Sequence, residues 1–182
     1  MHVLGLCGSL RQHSYNRRLL AAAATQLPVG AALHLFDHMA DIPPYNEDAD
    51  THQAPPAVHT LRRAVAAASV ILIATPEYNA SVPGVLKNAI DWASRPYPDS
   101  SLRGKPVIVM GASITTSGAA QAQADLRRVL NAIGAHVLEA SLSVPQAHKA
   151  FAGDGQLADP QLRAELVSLM HTLIDAACVE CG

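Results

Sequence analysis

Apolar residues along this chain come in short blocks separated by polar and turn-forming segments. Residues 3–7 are an apolar run closed by Gly8, which predicts a buried strand. Residues 16–27 are rich in Ala and Leu and are followed by Pro28 and Gly30, a helix with its stop signal. A second strand is expected over 31–37. Residues 38–56 carry many Asp and Pro and read as a long loop, of the kind that is often functional. A helix follows over 57–68, and then the clearest buried strand, the unbroken β-branched run of 70–75. Residues 76–82 read as loop, and 83–94 as a helix opened by Pro83. The fourth strand is 107–112, followed by a Ser/Thr/Gly loop at 113–118. Leu126, Val129, Leu130 and Ile133 share one stripe of a helix over 119–133 that Gly134 closes. A fifth strand covers 137–142. Leu162, Leu166, Leu169, Met170, Leu173 and Ile174 line one face of a last helix.

Five strands alternating with five helices imply a parallel sheet with helices on both faces, since parallel strands need crossover connections. At 182 residues, one domain spanning 1–182 is expected. Ligands of such sheets bind beyond the carboxyl ends of the strands, at the topological switch point. That directs attention to the loops after strands one, three and four.

Composition narrows the function classes. The apolar fraction of 49% is ordinary, whereas the charged fraction of 15% is low and suggests a surface partly covered by a partner subunit. A net charge of −2 gives no nucleic-acid footprint and is far from the acidic balance of an electron carrier that docks on basic partners. The longest apolar runs are much shorter than a membrane span. The N-terminus runs into a strand with no basic leader, so a cytoplasmic location is expected. Cys7 reads as a buried small thiol, and Cys178-x-x-Cys181 has no second ligand pair. The nine histidines are scattered, and no metal site is expected.

The loop after strand one, Gly8-Ser9-Leu10-Arg11-Gln12-His13-Ser14-Tyr15-Asn16, is dense in hydrogen-bond donors. Phosphate recognition uses backbone N–H groups at a helix start, hydroxyls and a guanidinium fork, and this loop offers all three. An ordinary capped turn, with Ser14 as N-cap, accounts for one hydroxyl but not for the rest. The sequence has no G-x-x-x-x-G-K-[ST] and no G-x-G-x-x-G, which argues against P-loop and dinucleotide sites. Cys7 and Arg11 are too close for a tyrosine-phosphatase loop, in which five residues separate the two.

The stretch after strand three is the most specific in the chain: Pro76-Glu77-Tyr78-Asn79-x-Ser81-x-Pro83-Gly84-x-Leu86-Lys87-Asn88-Ala89-Ile90-Asp91-Trp92. Tyr78 could cover the face of a flat ring while main-chain groups meet its edges, and Trp92 reads as a core residue. Together with Gly8-Ser9-Leu10-Arg11-x-x-Ser14-x-Asn16, Arg103-Gly104-Lys105-Pro106 and Gln123-x-x-Leu126-Arg127, this motif resembles the NAD(P)H-dependent FMN reductases, which include quinone, chromate and azo reductases. The resemblance runs to about Pro145. It implies a flavodoxin-like three-layer sandwich with a five-stranded parallel sheet in order 2-1-3-4-5. It implies that Ser9, Arg11, Ser14, Tyr15 and Asn16 hold the FMN phosphate. Pro76, Glu77, Tyr78, Asn79 and Ser81 would contact the ring, with Ser113, Ser117 and Gly118 on its other side. Members often carry Gly-Gly near Gly118, where this chain has Gly118-Ala119.

The expected activity is a two-step transfer with no essential side-chain acid or base, because the flavin N5 carries the chemistry. A hydride would pass from NADPH or NADH to FMN, and a small-molecule acceptor would then take electrons at the same face, giving ping-pong kinetics. Acceptor candidates are a quinone, free flavin, an azo compound or a metal oxyanion such as chromate. The family resemblance implies a homodimer or homotetramer. An alternative is a flavodoxin-type FMN electron carrier, although only 4% of residues are aromatic and the 113–118 loop has none to sandwich a ring. A flavin-free protein that keeps only the fold is a third reading.

Overall fold

The computed structural model describes residues 1–179. Its elements are β1 (His2–Cys7), α1 (Tyr15–Ala24), β2 (Ala32–Leu35), α2 (Pro56–Ala67), β3 (Val70–Thr75), α3 (Gly84–Ala93), β4 (Pro106–Ala112), α4 (Ala120–Ala132), β5 (His136–Val144) and α5 (Pro160–Val179). The strands form one parallel sheet in the order β2-β1-β3-β4-β5, as expected.

Alternation along the central strands divides the core in two. Leu4, Leu6, Ile71, Ile73, Val107 and Val109 pack against α2, α3 and α4. Val3, Val70, Leu72, Ile108 and Met110 pack against α1 and α5. Both faces are therefore covered, which is why β3 and β4 are buried at every position rather than at every second one. Trp92 is wholly buried in the first cluster, as its core reading required.

Several boundaries differ from the sequence expectation. Helix α1 stops at Ala24, because Thr25 turns its hydroxyl onto the Ala22 carbonyl and Leu27, preceding Pro28, is disfavoured in helical geometry. Pro83 caps α3 instead of opening it. The 38–56 segment is more ordered than a bare loop. It forms two short 3-10 turns, Met39–Asp41 and Glu47–Ala49, and buries Met39, Ile42 and Ala54. Side chains of α3 hold it in place. Asn88 accepts from the Tyr45 N–H at 2.7 Å and donates to the Pro43 carbonyl at 2.9 Å, and the Trp92 indole donates to the same carbonyl at 2.8 Å. The Asn88 and Trp92 of the long motif are thus clamps on this segment. Residue 181 of the C-x-x-C lies outside the described residues.

Two interactions set the strand ends that matter for function. Asn16, buried in the first turn of α1, donates to the Ala112 carbonyl and accepts from the Ala112 N–H, both at 2.9 Å, across 96 residues of chain. Gly111 lets α4 approach: a Cβ there would lie 2.8 Å from the Thr75 carbonyl oxygen and 2.9 Å from the Ala119 Cβ.

Cys7 ends β1 beneath the first loop, with its thiol 3.5 Å from the Ser9 carbonyl. Burial pushes this thiol above its ordinary value, partly offset by the contacts to Ser9 and Ser14 and by the charge of Arg17. A raised folded-state value contributes stability below the unfolded thiol's pKa that is lost as pH rises through the folded one.

Two predictions follow from these contacts. Asn16→Ala leaves a buried N–H and a buried carbonyl unpaired and should lower stability by roughly 2–4 kcal/mol, read from urea unfolding. Native Cys7 should resist alkylation at mildly alkaline pH and label fully in denaturant, as followed by mass spectrometry of its peptide. Fast native labelling would contradict the buried-thiol assignment.

Candidate functional site

The first loop, 8–14, is ordered by its own hydroxyls. Ser9 Oγ accepts from the Arg11 N–H at 3.4 Å, and Ser14 Oγ caps α1 by accepting from the Arg17 N–H at 3.3 Å. Ser9 Oγ accepts from the backbone and keeps its own proton to donate, whereas the Ser14 hydroxyl also lies 3.9 Å from the Cys7 thiol. The Tyr15 and Asn16 N–H groups stand in the first helical turn, where no intrahelical acceptor exists. The capped-turn reading of Ser14 is therefore correct, and it is compatible with an anion at the same place.

The second loop is rigid for a different reason. Tyr78 and Ser81 exchange backbone hydrogen bonds of 3.1 Å around Asn79 and Ala80, whose φ values are 51° and 59°. Positive φ at both central residues is the type I′ arrangement of tight hairpins. Two side chains tie this hairpin to α4. Glu77 Oε2 accepts from the Gln121 and Ala122 N–H groups at 3.0 and 3.2 Å, and the Ser81 hydroxyl donates to Asp125 at 2.8 Å. Glu77 acts as the missing cap of α4, because Ala119 at the cap position offers no side-chain acceptor.

The third loop closes the other side. Gly118 and Ala119 both adopt left-handed backbone, with φ of 59° and 67°. Ala119 thus keeps a conformation that a glycine adopts more easily, at a cost of about 1–2 kcal/mol, and its methyl is buried against Gly111. Thr115 Oγ1 lies 2.9 Å from Ser117 Oγ, and the Thr115 hydroxyl also donates to Ser113 Oγ at 3.0 Å. Gln123, buried below this loop, donates to Ser143 at 2.8 Å, while its Oε1 has no hydrogen-bond partner.

The three loops enclose a cleft of about 320 Å³, within the usual range for small-molecule sites of about 300–1,000 Å³. Ser9, Arg11, Ser14, Tyr15 and Asn16 line it from one side, Pro76, Glu77 and Tyr78 from the second, and Ser113 from the third. Asn79, Ser81, Ser117 and Gly118, expected to contact the ring, are not part of that lining. Ile114 and Thr115, which sequence reasoning covered only as part of the 113–118 loop and did not single out, also line the cleft. Ile114, a lone apolar residue in a Ser/Thr/Gly loop, was the available signal. Asp125, the anchor of Ser81, had none, since a carboxylate on an amphipathic helix looks like any solvated one. Among the described residues, no three His, Cys, Asp or Glu side chains converge as a metal site, and no helix is long and apolar enough to cross a membrane.

Comparison with known proteins agrees with this architecture. Residues 1–149 match the family model described as NADPH-dependent FMN reductase. An NAD(P)H-dependent FMN reductase of Pseudomonas aeruginosa is 45% identical over 172 residues, covering 94% of this chain and 92% of that protein. A quinone reductase of Escherichia coli is 40% identical over 139 residues, covering 76% and 73% respectively. Among solved structures, the flavoenzyme NAD(P)H:(acceptor) oxidoreductase FerB of Paracoccus denitrificans superposes with a TM-score of 0.86 at 37% identity, covering 97% of this chain and 96% of that one. On the sheet order, the loop chemistry and these likenesses together, the chain belongs to the NADPH-dependent FMN reductase family and is an oxidoreductase that uses FMN and NAD(P)H.

Proposed function

We propose that this chain is a quinone-reducing member of the family, that donor and acceptor use the same open side of the cleft in turn, and that the loop residues divide the work as follows. The donor set fits a phosphate monoester. Ser9 and Ser14 offer hydroxyl protons, Tyr15 and Asn16 offer helix-start N–H groups, and Arg11 supplies the charge. The Asn16 side chain serves by fixing the cleft's width, since its amide is engaged by Ala112. Main-chain groups of residues 76–79 would meet the ring edge, with Ser113, Ser117 and Gly118 shaping the opposite wall. Glu77 and Ser81 brace that loop through α4. FMN, when bound, supplies the electron chemistry, and the protein contributes binding and orientation.

One observation carries the reading. Glu77, the one carboxylate lining the cleft among the described residues, is hydrogen-bonded to the start of α4, so its carboxylate is engaged by the backbone and not placed as a general base. That arrangement suits a site that leaves the chemistry to its cofactor. Exposed Tyr78 and Ile114, which both line the cleft, suit a flat, uncharged acceptor such as a quinone, ahead of free flavin, an azo compound or chromate. The same apolar rim and the low charged fraction support a homodimer or homotetramer.

Steady-state rates with NADPH and a benzoquinone, varied against each other, should give parallel double-reciprocal lines. Intersecting lines would mean a ternary complex and overturn the shared-face reading. Arg11→Ala should weaken FMN binding by roughly ten- to a hundredfold, the loss of a charge-assisted hydrogen bond of about 1.5–3 kcal/mol. An unchanged dissociation constant would remove Arg11 from the phosphate site.

A further inference from the structure

Three basic side chains near the first loop lie outside the lining of the cleft. His13, Arg17 and Arg18 line a second cavity, of about 530 Å³, together with Arg11 and Gln12. Arg11, Ser14 and Tyr15 border both this cavity and the cleft, so the two adjoin across the loop. Among the described residues, no carboxylate lines the second cavity. The chain has 13 Lys and Arg residues in all, and three of them fall between positions 11 and 18.

Their side chains are held in different ways. Arg17 is paired with Asp37 at 2.5 Å on the side facing β2. The Arg18 guanidinium carbon sits 4.5 Å from the centre of the Phe151 ring, which in turn stacks on Tyr15 at 6.4 Å with the planes 9° apart. An arginine resting on an aromatic face keeps its N–H edge for a second partner, and it has less rotamer freedom to lose when that partner arrives. One phosphate beside Arg11 leaves Arg18 without a carboxylate partner among the described residues. A groove built this way has room and charge for a second anion.

The reductants of the proposed reaction differ in one anionic group: NADPH carries a ribose 2′-phosphate that NADH lacks. We infer that Arg18, flanked by His13 and Arg17, receives the 2′-phosphate of NADPH while the nicotinamide lies in the cleft, and that this contact makes the chain selective for NADPH. The inference rests on the reductase reading but concerns residues outside the flavin contacts. A phosphate on a stacked arginine gains a charge-assisted, two-point hydrogen bond, which is the type of contact that separates two otherwise identical nucleotides.

Calorimetric titration of the FMN-loaded protein with 2′,5′-ADP and with 5′-ADP tests this without turnover. The 2′-phosphorylated nucleotide should bind about tenfold more tightly or better. Arg18→Gln should abolish the difference while leaving FMN affinity at the wild-type level, and Arg18→Lys should retain part of it. Equal binding of both nucleotides to the wild type, or a preference that survives in Arg18→Gln, would overturn the inference. In steady state, the NADPH-to-NADH ratio of kcat/KM should fall toward unity in Arg18→Gln. A loss shared equally by both donors would assign Arg18 to packing on Phe151 and overturn the inference too. If neither donor reduces the wild-type protein, the reductase reading fails, and the calorimetry still decides whether the groove recognises a 2′-phosphate.

Discussion

The site depends on one buried amide. Asn16 sits in the first turn of α1 and makes two hydrogen bonds to the backbone of Ala112, at the end of β4. Strand β3 lies between β1 and β4 in the sheet, so this pair spans the switch point and fixes the gap between the first and third loops. Both Ala112 groups lie where the ladder to β5 is ending, and water has little access to them. Leaving either unpaired would cost more than an ordinary hydrogen bond contributes. The width of the cleft is therefore a property of the folded core and does not await a ligand.

The second loop meets the same requirement by different means. Its turn places two non-glycine residues at positive φ, an arrangement that persists only where surrounding contacts over-determine it. Those contacts are the Glu77 carboxylate on the start of α4 and the Ser81 hydroxyl on Asp125. The helix that lacks its own cap is completed by the loop, and the loop is held in shape by the helix. Gly111 permits this arrangement, because any side chain there would push α4 away from β3. Below, Asn88 and Trp92 of α3 hold the 38–56 segment by its backbone, so much of the long motif after β3 is scaffold rather than binding surface.

Much of this could be read from residues alone. The unbroken apolar runs at 70–75 and 107–112 announced strands covered on both faces, and the motifs of the first two loops announced the family. Less legible were roles that depend on distant partners. Asn16 and Glu77 look like ligands when seen within their own loops, yet their side chains hold residues 96 and about 45 positions away. The order within 38–56 was hidden for the same reason, since its hydrogen bonds come from α3 and not from local turns. Helix ends were misjudged where a proline or a left-handed residue at the boundary, as at Pro83 and Ala119, took the cap position.

In the proposed function, the first loop is a phosphate cradle and the other two loops close over the ring attached to it. Comparing FMN with riboflavin, which lacks the phosphate, tests that claim directly by fluorescence titration of the flavin-stripped protein. The account predicts one FMN per chain with strong quenching, and riboflavin binding weaker by roughly a hundredfold or more, the loss of several charge-assisted hydrogen bonds. Equal affinity for the two flavins, or no binding of either, would contradict it.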